Sequence, residues 1–279
     1  MIYYHLPGLF EYFDFYQVFI KIFQTEPHKF RDVKIASIYG APPNCLWAGG
    51  RTGHPAEGNI FKIMGWLHET GMKCDLVFSN CLLEPQHFSD KYCNTILHTF
   101  HESGNNITVY SDDLKNYIHT NFPEYTFTSS TTKCIKDKSL ACAEADTYDL
   151  VVLDYNFNYQ EDFLKSIDNK EKFELLVNSV CTPNCPQRFE HYTEISEFAL
   201  GIRKDHKIFC PCQQKKFWEI LNNPTVLKLE DIYRYEKMGF SHFKIEGRTT
   251  PYADLVEILV YYMVKPEYQL EIRQRLMFC

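Results

Sequence analysis

Between Phe173 and Tyr192 the chain reads FELLVNSVCTPNCPQRFEHY, which sets Cys181 and Cys185 within a few residues of Arg188, Glu190 and His191. Thiolates bind soft metals and act as nucleophiles, a guanidinium holds anions, and a carboxylate or imidazole moves protons. A second thiol pair, Cys210 and Cys212, follows, and Cys45 stands in the loop after another predicted strand. Four thiolates drawn from these five cysteines can surround a metal. Structural zinc sites usually place Cys-x2-Cys pairs on tight turns. The Cys-x3-Cys and Cys-x-Cys spacings are different and suit a cluster held by several loops, with zinc as the alternative. The plainer reading leaves two or three of these thiols as small apolar core residues.

Acid, base and anion-binding candidates lie at other predicted strand ends. Glu246, His191 and Asp154 are the proton-transfer candidates. Arg51 and Arg248 can clamp a carboxylate or phosphate through paired N–H groups. In Glu246-Gly247-Arg248 the glycine lets the backbone approach a ligand closely. The competing reading makes Glu246 and Arg248 a structural ion pair closing the barrel end. For His191 it is a local hydrogen bond at a helix start. Trp47 and Tyr155 sit in strand-end loops and can line a pocket for a flat ligand. Ser129 to Thr132 gives a hydroxyl-rich strand end, suited to an anion or to capping the next helix.

These residues need elements to carry them. Apolar, β-branched runs are expected as strands at 33–39, 73–79, 107–110, 125–129, 149–154, 173–178, 225–227 and 242–248. Helical spacing fills the intervals, with Gly71 and Gly239 as stops and Ser111 as a cap. Strands without polar alternation, separated by helices, belong to a parallel sheet buried on both faces. The expected fold is a single α/β domain, a (β/α)8 TIM-like barrel. Residues 1–32 form a helical lead-in, 33–262 the barrel and 263–279 a closing helix. No Gly-x-Gly-x-x-Gly turn, P-loop, Gly-x-Ser-x-Gly elbow or His-Glu-x-x-His motif occurs.

The 279 residues are 45% hydrophobic and 23% charged, enough for a sizeable core. A net charge of −7 speaks against duplex nucleic acid as a partner, a local basic groove aside. The N-terminus lacks a signal-peptide pattern, and no apolar run approaches the roughly 18 residues of a membrane span. A cytoplasmic location and a small-molecule substrate are expected, with no membrane partner. Eleven cysteines, an odd number, then point to metal ligation or burial rather than to a full set of disulfides.

Two segments resemble the collagenase-like peptidase superfamily of unassigned catalytic type, the U-type peptidases. They are Glu174 to Cys181 with Cys185, His191 and Tyr192, and Gly239 to Arg248, whose Glu246-Gly247-Arg248 looks like the family's closing motif. The resemblance implies a barrel and, from several members, a [4Fe-4S] cluster on four cysteines. It also implies oxygen-independent hydroxylation of RNA bases or quinone precursors, or peptidase activity. By this resemblance Cys181 and Cys185 match the family's cysteine segment, and Cys210, Cys212 or Cys45 would complete the set. This chain is shorter than the RNA-modifying members, its cysteine spacing is compressed and its charge is acidic. The expectation is therefore an iron–sulfur enzyme performing a redox step on a small anionic metabolite. A metal-dependent hydrolase and a non-catalytic scaffold are the alternatives, and a homo- or hetero-dimer is compatible with each.

Overall fold

Strands that are apolar on both faces need cover on both, and closing the sheet on itself supplies it. The computed structural model describes residues 1–102, 104–204 and 216–277. Its strands are Ile2–Pro7 (β1), Val33–Gly40 (β2), Cys74–Phe78 (β3), Asn106–Val109 (β4), Thr126–Ser129 (β5), Leu150–Val152 (β6), Phe173–Leu176 (β7) and His242–Lys244 (β8). They form a closed barrel in sequence order, and every neighbouring pair is parallel. Closure is made by β1 against β8, with Tyr3 opposite His242 and His5 opposite Lys244.

The N-terminus departs from expectation. The segment predicted as a helical lead-in over 1–32 begins with β1, a full barrel strand. Helix Phe13–Thr25 (α1) is then the crossover from β1 to β2. The strand predicted at 225–227 is not a strand. The expected total of eight therefore held through two compensating errors. The tyrosines and histidine of β1 hid its apolar character, yet Tyr4 and Leu6 are fully buried.

The outer layer follows local signals closely. Helix Ile60–Thr70 (α2) opens on Asn59, whose side chain accepts from the Lys62 N–H, and stops at Gly71 with φ +68°. Lys91–Phe100 (α3) and Asp112–Asn121 (α4) open on Asp90 and Ser111 caps. Lys138–Glu144 (α5) and Glu161–Ser166 (α6) are short, and Arg188–Ala199 (α7) follows the Cys181 loop. Phe217–Ile220 (α8) precedes Leu229–Met238 (α9), which ends at Gly239 with φ +110°. Tyr252–Met263 (α10) and Gln269–Met277 (α11) are the last α-helices among the described residues. Among the described residues no helix is long and apolar enough to cross a membrane.

The lumen is polar, which sequence patterning does not reveal. Lys244 Nζ lies 3.4 Å from Glu174 Oε2 and 3.5 Å from Asp75 Oδ2. Thr108 donates to both Asp75 oxygens at 2.9 and 2.8 Å. His5 joins Ser37 Oγ at 2.8 Å and His242 at 2.9 Å. Its members hold one another, except that Glu174 Oε1 is buried with no hydrogen-bond partner among the described residues, His5 Nε2 lying 3.6 Å away.

Candidate active site

A pocket of about 680 Å³, open solvent at its mouth included, sits over the C-terminal strand ends. Barrel enzymes place their chemistry at that end. Its apolar walls include Tyr39, Val152, Leu176 and Tyr192, and Lys244 rises into it from the lumen.

Three loops set its charged groups. The loop after β2 carries Gly49, Gly50 and Arg51. A Cβ on Gly49 would lie 2.2 Å from the Ser79 carbonyl oxygen, and Gly50 has φ +75°, so both positions require glycine. The segment after β8 carries Glu246, whose backbone N–H donates to Asn178 Oδ1 at 2.7 Å while Asn178 Nδ2 donates back to its carbonyl at 2.9 Å. The loop after β7 carries Cys181. Arg51 joins all three: Nη1 donates to Glu246 Oε2 at 2.9 Å, and Nη2 donates to Cys181 Sγ.

Burial pushes the Cys181 thiol up to about 11, although the Arg51 and Arg188 guanidinium groups pull the other way. Cys181 packs in a small cluster with Val152, Tyr155 and Leu176, and Cys185 rests against that cluster. Both thiols thus belong to one small cluster beside the pocket, and neither lines it. Cys210 and Cys212 lie outside the described residues. Cys45 goes elsewhere: it is buried in the main core with its Sγ 3.7 Å from Cys93 Sγ. Among the described residues no group of three or more His, Cys, Asp or Glu side chains is arranged to hold a metal ion.

The remaining candidates fall into two sets. Arg248 lines the pocket, but its Nε donates to Glu11 Oε1 at 2.9 Å and both side chains are buried. It is a structural ion pair, though with Glu11 and not with Glu246. Asp154 is buried in a pair with Arg188 Nη1 and caps the turn at Tyr155, so it is not placed as a free acid. Trp47 is fully buried under the loop, donating to the His87 carbonyl at 2.9 Å, and lines no part of the pocket. Tyr155 is buried behind Cys181 and donates to the Thr182 carbonyl at 3.0 Å. His191 is half-buried on α7, and its neighbour Tyr192 supplies the pocket face instead.

Arg188 and Tyr192 stand in the thiol segment that the sequence points to, without a role there, and Lys244 and Glu11 were not among the candidates. Arg188 donates to Tyr192 Oη at 3.0 Å and to Thr131 Oγ1 at 2.7 Å, with its guanidinium 4.4 Å from the Tyr155 ring centroid. The four-residue spacing of Arg188 and Tyr192 is a helical signal, legible once α7 is known. Lys244 and Glu11 each interrupt an apolar run, which marks a charge that must face an interior partner. The hydroxyl run resolves as a cap: Ser130 Oγ accepts from the Thr132 N–H at 3.2 Å.

The same barrel occurs in a solved structure, that of the U32 peptidase Mk0906. The match covers 90% of this chain and 94% of that one, with a TM-score of 0.56 and 12% sequence identity. This chain has the fold of a U32 peptidase. At that identity the U32 likeness is one of architecture, and it agrees with the barrel expected from the sequence. No family model matches the sequence. No curated protein matches it either.

Proposed function

We propose that the chain is a barrel enzyme related to the U32 peptidases, acting in the mouth pocket on a small molecule that carries an anionic group. The supporting observation is Arg51, held between Glu246 and Cys181 at the meeting point of three strand-end loops. Arg51 binds the anionic group and Glu246 holds or moves the proton. Asp154 acts only through Arg188, which it positions.

The thiols carry the cofactor part of the proposal. Cys181 and Cys185 lie in one cluster beside the pocket, which Val152 and Leu176 share with its wall, and their donor chemistry fits an iron–sulfur cluster. Cys210 and Cys212, the remaining candidates of the sequence, lie outside the described residues. When bound, such a cluster supplies one-electron redox chemistry. The protonated thiol of Cys181 would give up its proton on ligation, as metal-bound thiols do. The reaction class is then an oxygen-independent hydroxylation or related redox step.

A second reading is favoured by the description of the structural neighbour as a peptidase. In it Glu246, with His191, would serve as the base toward water, and a zinc ion held by the thiols would supply Lewis acidity. Protein purified without oxygen separates the two. A broad visible band that bleaches on reduction, present in the wild type and lost in Cys181→Ala, is the expected result. A colourless protein holding zinc would transfer the assignment to hydrolysis.

A further inference from the structure

Among the described residues each cation around the pocket is held by carboxylates, and one such pair is more open to solvent than the rest. Arg248 is sealed by Glu11, with side chains 5% and 2% exposed. Arg188 is sealed by Asp154 at 6% and 2%. Lys244 is held between Asp75 and Glu174, all three below a tenth exposed. Arg51 and Glu246 are 18% and 17% exposed, the pair that solvent reaches among these.

That pairing constrains what can enter. A simple monoanion on the remaining N–H groups of Arg51 adds a like charge beside Glu246, and the two acids then share one counter-charge. A partly buried carboxylate without its full counter-charge is costly. Among the described residues nothing replaces Arg51 beside Glu246: the Glu246 backbone is occupied by Asn178, and Tyr39 and Tyr192 are neutral at neutral pH. A ligand bearing both an anionic and a protonated cationic group satisfies both residues at once. Resting on the mouth pocket as the substrate site, we propose that its ligand is zwitterionic, an α-amino acid or a molecule ending in one. The carboxylate takes Arg51 and the ammonium takes Glu246.

A cluster of hydroxyls in the lining adds to the fit. Ser79 and Thr132 hydroxyls meet Ser130 Oγ at 3.0 and 2.8 Å, and the Thr132 N–H donates there too. Ser130 Oγ has two lone pairs for three neighbours, so at least one of these hydroxyl contacts runs the other way. Ser79, Ser130 and Thr132 all line the pocket between apolar walls. The ligand's side chain is thus apolar along its length with a polar end that meets these hydroxyls.

The test is calorimetric titration of the full, anaerobically purified chain with the common L-amino acids at neutral pH. The tightest is then compared with its 2-hydroxy acid and with its decarboxylated amine. The amino acid is expected to bind about tenfold or more tighter than either analogue. Glu246→Gln, which leaves Arg51 unbalanced, is expected to reverse the order in favour of the hydroxy acid. Wild-type preference for the hydroxy acid overturns the zwitterion while leaving the mouth pocket as the anion site. Absence of binding by every amino acid at millimolar concentration also overturns it. If Arg51→Met in addition leaves hydroxy-acid binding unchanged, the pocket itself is not the site.

Discussion

Arg188 shows how one residue can matter to the site without touching a ligand. Its guanidinium is buried against Asp154, Tyr192, Thr131 and the Tyr155 ring. Burial pulls its pKa down, but Tyr192 and Asp154 hold it well above the ordinary value, so it stays charged. Replacing it by Met strands the Asp154 carboxylate in the interior. A stability loss of about 3–5 kcal/mol is expected, read from urea denaturation. Pairing Arg188→Met with Asp154→Asn should recover part of it, and full additivity of the two losses would contradict the pairing. Residue types announced much of this site, because Arg51, Glu246 and Cys181 all stand beside strand ends. Partners were less legible. Asp154 finds Arg188, and Arg248 finds Glu11, across long stretches of chain. Sequence spacing carries no distance across a closed sheet.

At the scale of elements, β1 separates what was legible from what was not. Strands β2 to β7 and the stops at Gly71 and Gly239 follow local rules, and the sequence shows them. The strand Ile2–Pro7 follows none, since Tyr3, His5 and Pro7 are chosen for the lumen and for closure. Tyr3 stacks on His242 at 5.4 Å, and the Ile245 N–H donates to the His5 carbonyl at 3.0 Å. Removing residues 1–7 therefore opens the barrel at β2 and β8 and exposes two unpaired edges. Circular dichroism of that truncation is expected to show no cooperative melting transition. A cooperative melt close to that of the full chain would mean the segment is only a lead-in.

The whole molecule is built around buried charge, and this makes its stability depend on pH. Burial, then Lys244 and His242, hold His5 well below the ordinary histidine range, with Asp75 acting in the opposite sense. Burial also lowers His242, against Glu174. Unfolded, both imidazoles titrate near about 6.5. Below that value the unfolded chain binds more protons than the folded one, so their contribution is present above it and lost as pH falls. Glu174, raised by burial, acts in the opposite sense just above the usual carboxylate range. Urea midpoints measured between about pH 7 and pH 5 should fall, and His5→Gln should flatten that slope. An unchanged slope in the variant would remove His5 from the account.

The proposed enzyme depends most on the thiols beside the pocket. Iron and acid-labile sulfide in chain purified without oxygen test it most directly. About four of each per chain in the wild type, falling sharply in Cys185→Ala, is the expected result. Neither iron nor sulfide, in protein that is folded and monodisperse, would contradict the account.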